Sequence, residues 1–157
     1  MAIDRADWHW DSTEELYRKT YSITGDFTEE QEDEIWSLSA NHIGLFLRWI
    51  IENGMEGDEA DEEECEKVRN GQMSGSEYLL NNCDGKLWDE DIREDILPFV
   101  EYYYNANGYF KDYADCCTND NDKPLYGIIS SENDYLQLKE KISEAYRNFM
   151  ETRSDNN

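Results

Sequence analysis

The chain has 157 residues, with 14 Lys and Arg against 38 Asp and Glu, which gives a formal net charge of −24 at pH 7. A chain of this charge repels the phosphates of nucleic acids and anionic membranes, so both are excluded as direct partners and a basic protein is favoured. The length suits one domain over residues 1–157, and 5 Trp, 11 Tyr and 5 Phe predict an aromatic-rich core.

Helix starts are marked by four possible capping boxes, in which a Ser or Thr and an acid or amide three residues later cap each other's backbone N–H groups. The four pairs are Ser12 with Glu15, Thr28 with Gln31, Ser74 with Glu77, and Ser131 with Asp134. Each pair precedes apolar residues at helical spacing. The sequence therefore predicts a mainly α fold, a single compact helical domain of about six or seven helices.

The longest apolar pattern predicts the central helix. The run from Asn41 to Gly54 is apolar on most faces, and its final glycine suits the left-handed position after a helix. A surface helix is predicted over residues 58–70, a short helix after Ser74, and an amphipathic helix over residues 131–152.

Between the short helix after Ser74 and the amphipathic helix over residues 131–152, loops and an interrupted helix are expected. Residues 86–88 are interpreted as a turn or loop, and Pro98 is expected to kink or break a helix over residues 89–105. A minor extended segment near residues 125–129 is the only hint of a strand.

The cysteines and the apolar runs indicate a cytoplasmic protein. The thiols Cys65, Cys83, Cys116 and Cys117 form no CxxC pair and have no neighbouring histidine, so we expect reduced thiols and no zinc site. No signal-peptide pattern follows Met1, and the run Ile43–Ile51 is too short to span a bilayer.

Residues for catalysis are scarce. His9 and His42 are the only histidines, which makes a nucleophilic triad or a facial iron triad difficult to assemble, and no phosphate-binding or GxSxG motif is present. His9, between Trp8 and Trp10, is interpreted as part of an aromatic cluster that anchors the start of the chain. His42 is interpreted as a helix cap or a hydrogen-bonding partner. We expect no enzymatic activity, no cofactor and no bound metal.

The acids also allow two other interpretations. The loop around Gly85 places Asn82 and Asp84 at EF-hand ligand positions, but Leu80 occupies the essential first position. Trp88 precedes three consecutive acids and could stack on a sugar ring, but a solvated acidic face beside a buried Trp is the favoured interpretation of that pattern.

Three acidic runs with few balancing bases favour a basic partner protein. They cover Asp26–Glu34, Glu56–Glu66 and Asp89–Asp95. Carboxylates in these runs would pair with lysine and arginine side chains, and a neighbouring aromatic ring would supply contact area. The candidate partner-binding residues are Glu62, Glu63, Glu64, Asp84, Trp88, Asp89, Glu90 and Asp91.

Several blocks of the sequence resemble an uncharacterised bacterial domain family. They are Asp7-Trp8-His9, the run Asn41–Gly54, the run Gly75–Asp91 and the aromatic segment Phe99–Tyr104. Members of that family resemble small acidic proteins found near polymorphic toxins, which implies an immunity protein, including those of contact-dependent growth inhibition systems. The acidic stretch Ser12–Leu38 departs from the usual pattern and is a candidate region for recognition of one partner.

The leading hypothesis is therefore an immunity protein that binds a basic toxin domain, a nuclease, and occludes its substrate groove. We expect a monomer or a weak dimer. The first alternative is a nucleic-acid mimic that inhibits several basic proteins. The second is a hydrolase that uses dispersed carboxylates.

Overall fold

Helices dominate the computed structural model, which describes residues 1–106, 108–117, 126–127 and 129–155. Within these residues seven α-helices and a two-stranded sheet occur, which confirms the predicted mainly α fold and helix number. The strands are β1 (Ala2–Arg5) and β2 (Lys86–Trp88), and the helices are α1 (Trp10–Tyr21), α2 (Glu29–Glu52), α3 (Glu62–Arg69), α4 (Gly75–Asn82), α5 (Leu97–Tyr103), α6 (Gly108–Cys117) and α7 (Glu132–Asp155).

Helix α2 forms the centre of the fold and is longer than predicted. It begins at Glu29 instead of Asn41, because Thr28 and Gln31 form a complete capping box and the apolar face already starts at the buried Ile35. Its end agrees with the prediction, since Gly54 follows with a φ of +68°.

The other capping boxes have mixed outcomes. Ser131 and Asp134 exchange hydrogen bonds of 3.1 Å, and the Ser74 hydroxyl accepts one from the Glu77 backbone N–H at 3.0 Å. The capping box predicted at Ser12 was wrong. A 3-10 turn over Ala6–His9 continues directly into α1, and Ser12 lies inside α1.

The sheet lies where a loop was expected. Residues 86–88 form β2, which pairs antiparallel with β1, with Arg5 opposite Lys86 and Asp4 opposite Leu87. Three residues are too few to show a strand period, so the pairing with β1 decides the conformation. Of the segment predicted as extended near 125–129, only residues 126, 127 and 129 are described, and they form no strand.

Pro98 does interrupt the segment over residues 89–105. The segment consists of two 3-10 turns, Asp89–Asp91 and Glu94–Ile96, followed by α5, with Pro98 in its first turn, where a missing N–H is tolerated. Helix α6 was not predicted, and it buries Tyr109 and Tyr113 against the central helix and its neighbours.

The core is rich in aromatic residues, as predicted. Phe46, Tyr104 and Tyr109 form a stack with ring centroids 4.9 to 5.2 Å apart. Helices α2 and α4 pack so closely that a Cβ atom on Gly75 would lie 1.9 Å from the carbonyl oxygen of Gly44. All four cysteines are free thiols, and no helix among the described residues has the length and apolarity to cross a bilayer.

Candidate functional site

An acidic groove lies where two of the acidic runs meet. It has a volume of about 760 Å³. Its charged lining consists of one guanidinium, that of Arg93, and six carboxylates, which belong to Asp58, Glu59, Asp89, Glu90, Glu94 and Asp95. We call this feature the acidic groove.

Backbone contacts hold the two walls of the acidic groove together. Glu56 and Ile92 form an isolated antiparallel bridge, and the Arg93 backbone N–H donates to the carbonyl oxygen of Met55 at 2.8 Å. The Gly57 N–H donates to the Asp91 carbonyl at 2.9 Å, and a Cβ on Gly57 would lie 2.0 Å from the Glu90 carbonyl oxygen. A glycine therefore allows the two acidic runs to approach closely.

Most carboxylates of the acidic groove are not neutralised. Arg93 pairs with Asp95 at 2.5 Å, which lowers the pKa of that carboxyl, and Asp89 lies 3.0 Å from the α-amino group of Met1. Among the described residues, Asp58, Glu59, Glu90 and Glu94 have no basic partner within 4 Å. The groove thus keeps a strong negative potential that a cationic surface would neutralise.

The predicted residues around β2 are divided between several environments. Asp89 and Glu90 line the acidic groove, but the Asp91 carboxylate turns inward and accepts a hydrogen bond from the Trp88 backbone N–H at 2.8 Å. Burial raises the pKa of Asp91. The Trp88 side chain is half-buried in β2. Asp84 lies at the other end of the strand and lines a separate groove of about 710 Å³.

The three glutamates predicted on α3 lie outside the lining of the acidic groove. Glu62 and Glu64 already have partners, Arg69 at 3.5 Å and Lys67 at 3.2 Å respectively. Glu63 is exposed and, within the described part of the chain, has no ion pair. Of these three, it is the one free to meet a partner without breaking an existing pair.

A second cluster of ionisable groups is buried next to the central helix. Asp4 from β1 and His9 from the 3-10 turn, five residues apart, meet His42 from α2, which lies 33 residues after His9. The Nε2 atoms of the two histidines are 3.2 Å apart. Asp4 Oδ1 lies 2.7 Å from His9 Nε2, and Asp4 Oδ2 lies 3.3 Å from His42 Nε2. We call this feature the buried cluster.

Two tyrosines complete the hydrogen bonds of the buried cluster. The Tyr104 hydroxyl donates to Asp4 Oδ2 at 2.5 Å, and the Tyr126 hydroxyl lies 2.7 Å from His9 Nδ1. The ring of Phe110 covers His42 with centroids 5.2 Å apart. The His42 side chain is only 1% exposed, so the cluster is shielded from water on that side.

Burial and contacts shift the protonation of this cluster. Burial by itself would raise the pKa of Asp4, but its hydrogen bonds and charge interactions with His42 and His9 bring that pKa well below its ordinary value. Burial lowers the pKa of His42, which favours the neutral imidazole. At neutral pH the cluster therefore combines an ionised carboxylate with a neutral His42.

A family model described as Domain of unknown function (DUF7832) matches residues 2–128. The chain belongs to this family. No curated protein and no solved structure matches the chain. The acidic groove and the buried cluster both lie inside the DUF7832 domain, whereas α7 follows it, and the link to toxin systems stays a prediction.

Sequence reasoning treated the two histidines separately and missed their convergence. Capping by His42 was wrong, because the residue lies inside α2 and not at its start. His9 anchors the start of the chain through Tyr126 and Asp4, and Trp10 does so by packing on Trp36, while Trp8 remains 58% exposed. A polar side chain on the apolar face of the central helix was the available signal, since a buried histidine needs a partner.

Proposed function

We propose that this DUF7832 protein binds a basic protein through its acidic groove, in the manner of an immunity protein that neutralises a toxin nuclease. The observation that carries the proposal is the joining of two acidic runs around one concave surface, with four carboxylates that have no ion pair among the residues that the structure describes. Like charges repel one another in the free protein, so this arrangement costs stability that a cationic partner would restore.

Concave shape and charge together support a protein ligand. A loop or helix end that carries lysines and arginines could enter the acidic groove and pair with Glu59, Glu90 and Glu94. Nucleases bind phosphates through cationic grooves, so the residues that contact substrate would be those that contact this surface. Binding there would occlude the substrate groove in the cytoplasm, where we propose that the protein acts.

The test uses the purified product of the adjacent gene as the partner. Affinity is measured by isothermal titration calorimetry at ionic strengths of about 0.05 M and about 0.3 M, between which the Debye length falls from roughly 14 Å to roughly 6 Å. We expect tight binding that weakens at the higher salt, together with inhibition of the nuclease activity of that product. No complex, or an affinity that salt does not change, would contradict the proposal.

A matched pair of variants locates the binding surface. The triple variant Glu59→Gln, Glu90→Gln, Glu94→Gln removes three charges from the acidic groove, and Glu140→Gln, Glu144→Gln, Glu151→Gln removes three exposed charges from α7. We expect the first variant to lose most of the affinity and the second to retain it. Equal losses would show that only net charge matters.

A nucleic-acid mimic is the second candidate, and the same grooves favour it. The acidic groove, which includes Asp58 and Glu90, and the separate groove lined by Asp33 and Asp84 could both contact several basic proteins without a specific fit. A panel of unrelated basic nucleases separates the candidates. An immunity protein inhibits its own toxin alone, whereas a mimic inhibits many members of the panel.

A further inference from the structure

The buried cluster brings together three side chains of the types that ligate transition metals. One nitrogen of His9, one nitrogen of His42 and a carboxylate oxygen of Asp4 all lie within 4.8 Å of one another. Both histidines direct the same kind of atom, Nε2, at the same point, and Asp4 directs a different oxygen at each of them. This convergence is independent of the acidic groove.

Both Nε2 atoms converge on the Asp4 carboxylate, so the hydrogen bonding of the cluster depends on which imidazole nitrogens carry protons. With Asp4 ionised, protons on both Nε2 atoms place two N–H donors 3.2 Å apart. A proton on His42 alone leaves the lone pair of His9 facing Asp4 Oδ1 at 2.7 Å, and a proton on His9 alone leaves the lone pair of His42 facing Asp4 Oδ2 at 3.3 Å. With protons on both Nε2 atoms, each histidine donates to its own Asp4 oxygen, whereas the other two arrangements place a lone pair against a carboxylate oxygen in a buried place.

A cation at the point where these atoms converge would attract the carboxylate and the lone pairs of both nitrogens. Nitrogen and oxygen ligands lie about 2.0 to 2.2 Å from zinc, so two ligands at tetrahedral or octahedral angles are roughly 2.8 to 3.6 Å apart. The separations of 3.2 Å between the histidines and 3.3 Å between His42 and Asp4 fall in this range, and the contact of 2.7 Å needs a small widening. We propose that Asp4, His9 and His42 bind one divalent transition-metal ion.

The surroundings of the three side chains fit this role. A metal-bound imidazole generally has a hydrogen-bonding partner at its other ring nitrogen, and a metal-bound carboxylate is itself hydrogen-bonded. Tyr126 provides the first of these contacts to His9 Nδ1 at 2.7 Å, and Tyr104 provides the second to Asp4 Oδ2 at 2.5 Å. Both tyrosines come from elements remote in sequence, so the fold supports the proposed ligands from two sides.

The ligand set also indicates the class of ion. Two imidazoles and one carboxylate suit zinc, iron(II), cobalt or nickel, whereas calcium and magnesium prefer oxygen ligands alone. By joining β1, the 3-10 turn and α2, the ion would stabilise the folded chain, because the unfolded chain lacks a preformed site.

The test titrates the chelator-treated, dialysed full-length protein with zinc chloride by isothermal titration calorimetry and with cobalt chloride by visible absorption. We expect one ion per chain, ligand-field absorption with cobalt, and a higher thermal unfolding temperature with either ion. His9→Gln should abolish the stoichiometric binding. Tyr126→Phe should weaken it about 10- to 100-fold, because the supporting hydrogen bond to His9 is lost.

A second group of possible ligands supplies the control. Glu56, Glu62 and Cys65 also lie close together, so Cys65→Ser tests whether an ion binds there instead. We expect Cys65→Ser to keep wild-type affinity and cobalt spectra without thiolate charge transfer. The proposal is overturned if folded wild-type protein binds neither ion, if binding survives His9→Gln unchanged, or if Cys65→Ser abolishes it. Circular dichroism verifies that each variant is folded.

Discussion

The acidic groove and the buried cluster use the same kind of side chain in opposite ways. In the acidic groove, Glu59, Glu90 and Glu94 face solvent, and no described base lies within ion-pairing distance of them. In the buried cluster a single carboxylate, that of Asp4, has two histidines and a tyrosine within 3.3 Å. Carboxylates are therefore available for a partner in the first region and committed to internal contacts in the second.

This difference shows that a high density of acids does not by itself mark the position of the most specific site. The acidic runs stand out in the sequence by their charge, yet the carboxylate with the most specific environment is that of Asp4, which lies outside them. Exposed charges each contribute little to stability, whereas a buried charge depends strongly on every partner.

The largest expected effect comes from removing the carboxylate of the buried cluster. Asp4→Ala should lower the free energy of unfolding by about 3 kcal/mol, because Tyr104 and the two histidines lose a buried acceptor. Urea denaturation measures the change, with the exposed groove variant Asp58→Ala as the control. We expect the control to change stability by less than about 0.5 kcal/mol. Equal effects would remove the distinction between the two regions.

The second largest loss of stability is expected from disturbing the backbone contact that forms the acidic groove. Gly57→Ala places a methyl group against the Glu90 carbonyl oxygen, so the two acidic runs must separate. We expect a loss of about 2 kcal/mol in urea denaturation, together with weaker partner binding. The neighbouring exposed variant Glu59→Ala should leave stability nearly unchanged. A stable Gly57→Ala protein with full affinity would show that the close approach is unnecessary.

A smaller effect isolates one hydrogen bond of the buried cluster. Tyr104→Phe removes the hydroxyl that donates to Asp4 at 2.5 Å and should cost about 1.5 kcal/mol. Tyr102→Phe is the matched control, because Tyr102 lies near the end of α5, two residues before Tyr104, and is 62% exposed. The thermal and urea unfolding curves of the two variants should differ clearly from each other. Similar curves would mean that the tyrosine hydroxyl contributes nothing to the cluster.

The smallest expected effect is a gain in folding stability, whereas the preceding substitutions lower it. The triple variant Glu59→Gln, Glu90→Gln, Glu94→Gln should raise the urea midpoint slightly at low salt, by no more than roughly 0.5 kcal/mol, since it relieves repulsion between like charges. Added salt should erase the gain. The α7 triple variant at residues 140, 144 and 151 should show less gain, because bases are interspersed there. A loss of stability in the groove variant would mean that these acids have internal partners.

Much of the fold was predictable from local patterns. The capping boxes at Thr28 and Ser131, the glycine after the central helix and the break at Pro98 depend on contacts between residues close in sequence. Strand β2 was missed because its conformation depends on β1, more than 80 residues earlier. Of the candidate partner-binding residues, Asp89 and Glu90 line the acidic groove, whereas Asp91 does not, because its carboxylate caps a turn.

The sequence by itself determined the helical class, the aromatic core and the negative charge, because these depend on composition and on the spacing of neighbouring residues. Tertiary structure decided which acids share a groove and which side chains meet His42. Those choices depend on packing between distant segments, where a glycine lets two backbones approach and a buried polar atom must find a partner. No local pattern records such a meeting, so only the folded chain brings Asp4, His9 and His42 to one point.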